Sequence, residues 1–197
     1  MIAERFQALQ REVGADVTIV VATKYVPCSE MDRLLAAGID VVGENRLQNL
    51  QEKQDHWRDR FSWHFIGHLQ SRKADEVSRR VELVHSLDSV RAAQRLSVPA
   101  LVQVNLAGEE SKSGVAPADL DTFLDEVTAA GVEIRGLTTM PPLAARPEDS
   151  APYFARLASL AASRRLPYLS MGTSQDYQVA VSEGATHIRI GSALFAA

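Results

Sequence analysis

The sequence predicts a single (β/α)8 barrel, an α/β fold of the TIM-barrel class, that covers residues 1–197 as one domain. Two observations predict it. Short apolar runs alternate with amphipathic stretches along the whole chain, and this alternation favours parallel strands joined by helical crossovers. Eight such runs occur, and eight β/α units close most simply into a barrel. Because 197 residues is slightly below the usual size for this fold, we expect short loops.

The predicted strands are short continuous apolar runs, of the kind that a parallel sheet buries on both faces. In chain order they cover residues 17–22, 39–42, 62–66, 81–86, 100–106, 132–140, 167–171 and 187–190. The first run is rich in β-branched residues, and the sixth is stopped by Pro141 and Pro142. The alternative fold, a doubly wound open sheet, normally carries a glycine-rich turn after its first strand. Here that turn is Thr23-Lys24-Tyr25-Val26-Pro27, which contains no glycine.

The stretches between the strands carry helix signals. Helices are predicted over residues 30–37, 46–57, 89–96, 117–130, 152–165 and 175–182. Ser29 and Asp88 are suitable N-caps for the first and third of these, and Pro117 suits the first turn of the fourth. Ahead of the first strand, three apolar residues at helical spacing predict a helix that packs against the barrel: Phe6, Leu9 and Val13.

Composition and charge exclude several classes of function. The chain has 21 Lys and Arg against 25 Asp and Glu, a formal net charge of −4, so it lacks the basic surface of a dedicated nucleic-acid binder. No apolar run is long enough to span a bilayer, and the first residues lack the apolar core of a signal peptide. With one cysteine, Cys28, no internal disulfide is expected. We therefore expect a cytoplasmic protein, and its few aromatic residues favour a monomer.

The residues at the ends of the predicted strands are mostly polar. In chain order they are Lys24, Asn45, His68, Asp88, Asn105, Met140, Ser170 to Ser174, and Arg189 with Gly191 and Ser192. A parallel barrel binds its ligands at the carboxyl ends of its strands. A barrel does not need such a polar rim for stability, so these residues are interpreted as the lining of a site.

Lys24 ends the first strand. An amine held against the barrel interior would be desolvated, which favours its neutral form and is the usual setting for Schiff-base chemistry. The alternative is a lysine that extends from the strand end into solvent. Position alone favours the second interpretation.

Two small, hydroxyl-rich turns follow the seventh and eighth strands: Ser170-Met171-Gly172-Thr173-Ser174 and Gly191-Ser192. Backbone N–H groups in such turns can hold an anion, and barrels often bind phosphate between these two loops. The alternative is that glycine and serine merely form tight turns. Together with Lys24 on the first strand, the two turns suggest a phosphorylated aldehyde as ligand.

Arg189 lies two residues before Gly191, so the period of a strand directs its side chain into the barrel. A buried guanidinium needs an acceptor. The ring nitrogen of pyridoxal 5′-phosphate (PLP) would supply one, and an arginine there would leave that nitrogen unprotonated and weaken the ring as an electron sink. The alternative is a structural salt bridge to a carboxylate such as Asp88.

The sequence resembles the pyridoxal phosphate homeostasis proteins, a family similar to the barrel domain of bacterial alanine racemase. The matching segments are Val20-Val21-Ala22-Thr23-Lys24, Gly43-Glu44-Asn45, residues 63–71, Gln103-Val104-Asn105, Ser111-Lys112-Ser113-Gly114, Arg135-Gly136-Leu137, residues 169–174 with Asp176, and Arg189-Ile190-Gly191-Ser192. They follow family order over nearly the whole chain. The chain ends at Phe195-Ala196-Ala197, where the family usually continues into a Gly-x-Arg-x-Tyr segment.

The resemblance implies that Lys24 forms the Schiff base with PLP and that Ser174, Gly191 and Ser192 contact its phosphate, with Ser170 nearby. It implies that Arg189 faces the pyridine nitrogen and that Asn45 and Met140 flank the ring. The family is associated with cofactor supply rather than with an established turnover reaction. PLP is thus the expected ligand, and PLP-dependent apo-enzymes are the expected transient partners.

The sequence favours a carrier over a racemase. Racemisation needs an acid–base group on each face of the cofactor–amino acid adduct, and in the racemases the second group is a tyrosine from another domain. Tyr25 follows Lys24 and is expected to point away from it if the strand continues to this position. The alternative function is a Schiff-base barrel enzyme, either racemase-like or a phosphosugar aldolase. No catalytic residues are assigned, and no metal site is expected from His56, His64 and His68 with Glu52 and Asp55.

Overall fold

The computed structural model describes residues 1–109, 113–143 and 145–195, and within these ranges eight parallel strands close into a barrel. The strands are β1 (Thr18–Ala22), β2 (Val41–Glu44), β3 (Ser62–Phe65), β4 (Leu83–Leu87), β5 (Ala100–Gln103), β6 (Ile134–Thr138), β7 (Tyr168–Thr173) and β8 (His187–Ile190). Each pairs with its neighbours in sequence, and β8 returns to β1 with Arg189 opposite Val20. Closure into a barrel rules out the doubly wound sheet.

The helices lie between the strands and cover the barrel. They are α1 (Ile2–Val13), α2 (Met31–Ala36), α3 (Leu47–Trp57), α4 (Ala74–Ser78), α5 (Val90–Ala93), α6 (Leu120–Ala129), α7 (Ala151–Ala162), α8 (Tyr177–Ser182) and α9 (Ser192–Phe195). Short 3₁₀ turns adjoin five of them: Cys28–Glu30, Arg58–Arg60, Ser71–Lys73, Pro117–Asp119 and Pro147–Ser150. On α1, the three predicted apolar residues are buried as expected. No helix in the described ranges combines the length and apolar character that crossing a bilayer requires.

The predicted strand positions are confirmed, but several boundaries differ. The sixth run was expected over 132–140, and the ladder of β6 covers only Ile134–Thr138. The fifth run was expected to reach residue 106, and β5 ends at Gln103. The predicted runs are longer than the strands because buried apolar residues also flank them, as at Val104 and Leu106 after β5 and at Val132 before β6.

Two predicted caps are wrong, and two helices were not predicted. The 3₁₀ turn before α2 begins after Pro27, so Ser29 lies inside it. The N-cap position of α5 is Ser89, whereas the Asp88 carboxylate lies 3.8 Å from the His68 ring. The two helices that were not predicted, α4 and α9, have five and four residues, which is too short for a helical period to be recognised.

The barrel interior is unusually polar. His64 on β3, His85 on β4, Ser170 on β7, and His187 and Arg189 on β8 are all buried. Side chains on β4 and β7 contact each other directly although these strands are not neighbours in the barrel, which places the contacting groups inside it. The apolar core lies mainly between the barrel and its helices, with side chains such as Leu34, Leu50 and Phe154.

Candidate functional site

A cavity of about 800 Å³ opens at the carboxyl ends of the strands. Seven of the eight predicted binding residues line it: Lys24, Asn45, Met140, Ser174, Arg189, Gly191 and Ser192. Ser170 does not. It is fully buried beneath the cavity, with its hydroxyl in hydrogen-bond contact with Arg189 and His85. The barrel thus brings together residues from the ends of β1, β2, β6, β7 and β8 at one mouth.

The Lys24 side chain is exposed and extends into this mouth. Lys24 follows the alternative that position favours and does not lie against the barrel interior, because β1 ends at Ala22 and the chain turns at the rim, with Val26 N–H donating to the Thr23 carbonyl at 2.8 Å. Because β1 stops at Ala22, the orientation expected of a continuing strand does not apply to Tyr25. Its ring centroid lies 4.8 Å from the Lys24 ammonium, so the two side chains are adjacent.

The backbone that precedes Lys24 is held by a buried ion pair. Lys53 on α3 bonds to Glu44 at the end of β2, and its ammonium also donates to the Thr23 carbonyl at 2.5 Å. The Thr23 hydroxyl donates to Glu44 Oε1 at 2.7 Å. Two elements, β2 and α3, are therefore tied to Thr23, the residue before Lys24. This arrangement fixes the direction in which the Lys24 side chain leaves the barrel.

The loops after β7 and β8 meet at Ser174. Its hydroxyl oxygen accepts hydrogen bonds from the backbone N–H groups of Gly191, at 3.1 Å, and Ala193, at 3.2 Å. Asp176 shapes the first loop by accepting from the Thr173 amide at 2.7 Å and the Thr173 hydroxyl at 3.0 Å. Backbone donors that converge on one oxygen are the arrangement that an oxyanion such as phosphate requires.

Arg189 closes the bottom of the cavity. One terminal nitrogen donates to the Thr138 hydroxyl, the Ser170 carbonyl and the Ser170 hydroxyl at 2.7 to 2.9 Å, and the other donates to the Thr139 carbonyl at 2.9 Å. Burial lowers the pKa of Arg189 to about 10, so it stays charged at neutral pH. Within the described ranges it forms no ion pair, so the alternative of a salt bridge to Asp88 is not observed.

Three further features of the cavity wall fit a heteroaromatic ligand. The Nε of Arg189 has no acceptor in the part of the chain that the structure describes, so this donor is left for a ligand atom. The Asn45 Oδ1 is buried and likewise has no hydrogen-bond partner there. Met140 is half-exposed, and its sulfur lies 2.9 Å from Arg189. The ligand that fits is an aromatic ring that lies between Asn45 and Met140. Its ring nitrogen would accept a hydrogen bond from the Arg189 Nε, and a hydroxyl group on it would donate one to the Asn45 Oδ1.

Of the other predicted strand-end residues, Thr173 also lines this cavity, whereas His68 and Asn105 do not. His68 lines a separate cleft with Lys73. Asn105 lines a second cavity of about 750 Å³, which shares Met140 and Thr173 with the first. Lys112, which the resemblance places in a matching segment, lies outside the described residues. His56 is exposed on α3 and His64 is inside the barrel, so these histidines do not meet. Within the described ranges, no cluster of three potential ligands suits a metal.

Sequence reasoning missed the buried residues that support the site. His85 and His187 belong to segments predicted as buried strands, and a histidine in such a segment was the available signal. Glu44 and Lys53 gave no comparable signal, because charged residues at a strand end and on an amphipathic helix are usually solvated. Only the fold brings these two residues together.

Comparison with known proteins places the chain in a family. The profile described as alanine racemase, N-terminal domain, matches residues 1–197. The chain is 40% identical over 210 residues to the pyridoxal phosphate homeostasis protein of Pseudomonas aeruginosa, covering 100% of this chain and 90% of that protein. It is 36% identical over 214 residues to the protein of the same name from Aquifex aeolicus, covering 98% and 94%.

Solved structures agree with this placement. PipY of Synechococcus elongatus without PLP has a TM-score of 0.92 at 35% identity, with 99% of this chain and 100% of that chain covered. The same protein with PLP bound has a TM-score of 0.91 at 34% identity, with the same coverage. Alanine racemase of Corynebacterium glutamicum has a TM-score of 0.76 at 15% identity, and 60% of its chain is covered, so it shares the fold. The chain thus belongs to the family of pyridoxal phosphate homeostasis proteins, which is built on the alanine racemase-like barrel.

Proposed function

We propose that this protein binds PLP through a Schiff base with Lys24 and acts as a monomeric cytoplasmic carrier or buffer in PLP homeostasis, with little or no turnover. The Lys24 nitrogen bonds to the aldehyde carbon, and water leaves. PLP-dependent apo-enzymes are the transient partners to which the cofactor passes. The names of the relatives and the PLP-bound structure of PipY support this proposal.

The observation that carries the proposal is the convergence of three complementary groups on one cavity. Lys24 supplies an amine at the rim, the Ser174, Gly191 and Ser192 loops supply anion donors, and Arg189 supplies a buried cation at the base. An amine, a phosphate cradle and a donor for a ring nitrogen match the aldehyde, phosphate and pyridine of PLP. Ser170 acts indirectly, because its hydroxyl bonds to Arg189 rather than facing the cavity.

The chain's own residues favour holding the cofactor over transforming it. Bound PLP supplies an electron sink for bonds to the α-carbon of an amino acid. Arg189, which can only donate, leaves the ring nitrogen unprotonated and so weakens that sink. The Tyr25 ring contacts the Lys24 ammonium, whereas racemisation needs a second acid–base group on the face opposite Lys24.

Covalent trapping tests the proposal. The purified chain is incubated with PLP and treated with borohydride, which reduces a Schiff base to a stable amine, and mass spectrometry locates the adduct. We expect one adduct on Lys24, and we expect Lys24→Ala to abolish it. Lys73→Ala is the matched control, because Lys73 also lies near the barrel mouth but lines a different cleft. This variant should trap as the wild type does.

Two outcomes would contradict the proposal. An adduct that persists in Lys24→Ala would show that the Schiff base does not form on Lys24. The PLP-loaded protein could also exchange the α-hydrogen of alanine for deuterium at a racemase-like rate. If Lys24→Ala abolished this exchange, the protein would be an enzyme and not a carrier.

A further inference from the structure

A chain of hydrogen bonds crosses the barrel interior beneath the cavity. Arg189 donates to the Ser170 hydroxyl at 2.7 Å. The Ser170 oxygen lies 2.8 Å from His85 Nδ1, and His85 Nε2 lies 2.9 Å from His64 Nδ1. All four residues are buried, with 8% of Arg189 exposed and less of the others. The site described above uses only Arg189 and Ser170 of this chain and assigns no role to the histidines.

The direction of this chain follows from its chemistry. A guanidinium only donates, so the Ser170 oxygen must accept from Arg189. A hydroxyl oxygen can accept two hydrogen bonds, but among the described residues the only other partner of the Ser170 hydroxyl is His85 Nδ1. The Ser170 proton therefore finds an acceptor only if His85 Nδ1 is unprotonated. A neutral imidazole with a free Nδ1 carries its proton on Nε2, so His85 donates to His64 Nδ1. His64 is then the Nε2–H tautomer as well.

The surroundings keep His85 in the neutral form that this arrangement requires. Burial, together with the nearby His64, His187 and Arg189, lowers the pKa of His85 well below its ordinary value. A protonated His85 would present an N–H to the serine proton and break the chain. His187 lies against the same group, with its ring centroid 5.6 Å from that of His85 and its own Nδ1 2.9 Å from the Thr186 hydroxyl.

We infer that His85 is a positioning residue for the cofactor site: through Ser170 it turns an oxygen lone pair toward Arg189 and so fixes the guanidinium that faces the ligand's ring nitrogen. This inference rests on the proposed function in one respect, the identity of the ligand atom that Arg189 meets. The directed chain itself is a property of the free protein. The two parts are therefore tested separately.

The first measurement needs no ligand. Nitrogen-15 NMR of the histidine rings distinguishes the two tautomers of imidazole. We expect both His85 and His64 to be neutral Nε2–H tautomers at neutral pH, and we expect the His85 tautomer preference to weaken in Ser170→Ala. A protonated Nδ1 on His85 in the free wild-type protein would overturn the inference, whatever the protein binds.

The second measurement isolates the ring nitrogen. Affinity is measured for PLP and for its carbocyclic analogue, in which a C–H replaces the ring nitrogen. His85→Leu removes the acceptor, whereas His85→Asn has a similar shape and places an amide oxygen near the position of Nδ1. In His85→Leu we expect the preference for PLP over the analogue to fall about tenfold, the value of one charge-assisted hydrogen bond, and in His85→Asn we expect it to be retained.

The ratio separates positioning from general damage. A purely structural role would weaken both ligands equally in His85→Leu and leave their ratio unchanged, and this result would overturn the inference. If wild-type protein forms no Lys24 adduct, the proposed function fails instead, and the NMR result alone decides whether the directed chain exists. If His85→Leu does not fold, the ratio is measured in Ser170→Ala, where the same tenfold fall is expected and an unchanged ratio contradicts the inference.

Discussion

Lys53 and Glu44 form an ion pair that is almost completely shielded from water, with 5% and 0% of their side chains exposed. Removing two charges from water is costly, and the pair is maintained by good geometry and further hydrogen bonds. Here the Thr23 hydroxyl and carbonyl supply those bonds. The second oxygen of Glu44 has no partner among the described residues, so Glu44 depends strongly on Lys53.

Replacing Lys53 by methionine leaves the Glu44 charge buried and uncompensated. We expect Lys53→Met to lower the free energy of unfolding by about 3–5 kcal/mol, measured by urea denaturation. The control is Arg79→Met, which breaks an exposed pair with Asp75 and should cost under about 1 kcal/mol. Equal losses in the two variants would show that the buried pair has no special part in stability.

The turn from β7 into α8 illustrates how an element, rather than a residue, positions the phosphate loop. Gly172 near the end of β7 has a φ of +90°, a backbone conformation that residues other than glycine rarely adopt. A Cβ at this position would lie 2.5 Å from the Cβ of Ala180 and 3.0 Å from the Cα of Tyr177. The glycine therefore allows α8 to pack directly against the strand that leads to Ser174.

Substitution of this glycine separates backbone strain from steric clash. Gly131 is the matched control, because its φ of +88° is nearly the same and a Cβ added there would meet no atom within 4 Å. We expect Gly131→Ala to cost about 1–2 kcal/mol from the backbone conformation alone. Gly172→Ala should cost about 1–3 kcal/mol more, because the clash adds to the strain. If denaturation gives the same loss for both, close packing of α8 is not what requires Gly172.

The three histidines inside the barrel couple the stability of the whole molecule to pH. Burial is the main reason that the pKa of His64 falls from 6.5 to about 3 and that of His187 falls from 6.5 to about 4. The pKa of His85 is also lowered well below its usual value by burial. Below pH 6.5 the unfolded chain therefore binds protons that the folded chain does not, and stability decreases as the pH falls toward about 4.

This coupling has a measurable slope. Each histidine contributes up to about 1.4 kcal/mol per pH unit between the two pKa values. We expect urea denaturation between pH 6.5 and about 5, above most carboxylate titrations, to give a progressive loss of stability. His187→Asn should reduce the slope by about one histidine's share, whereas the exposed His56→Asn should leave it unchanged. A free energy of unfolding that does not change with pH over this range would mean that the folded barrel binds protons at these histidines as readily as the unfolded chain does.

Sequence alone determined the barrel and most of its mouth. Most of the eight buried runs, such as Thr18–Ala22, were recognisable because a strand buried on both faces is mainly apolar. The eighth, His187–Ile190, alternates His and Arg with Ile. Lys24, Ser174, Arg189 and Gly191 were identified because the carboxyl ends of parallel strands must meet at one edge, so a position along the chain predicts a position in space.

Tertiary structure decided what lies beneath and beside those residues. Lys53 and Thr23 are 30 residues apart in the sequence, and Ser170 and His85 are 85 residues apart. A local sequence pattern carries no information about contacts at such separations. Lys24 is exposed and Ser170 is buried because of where β1 and β7 end, and the sequence does not give these ends accurately. Local periodicity records which face of a strand is buried. The partners that a buried polar group finds are set only when the barrel closes and desolvates it, because an unpaired group there is costly.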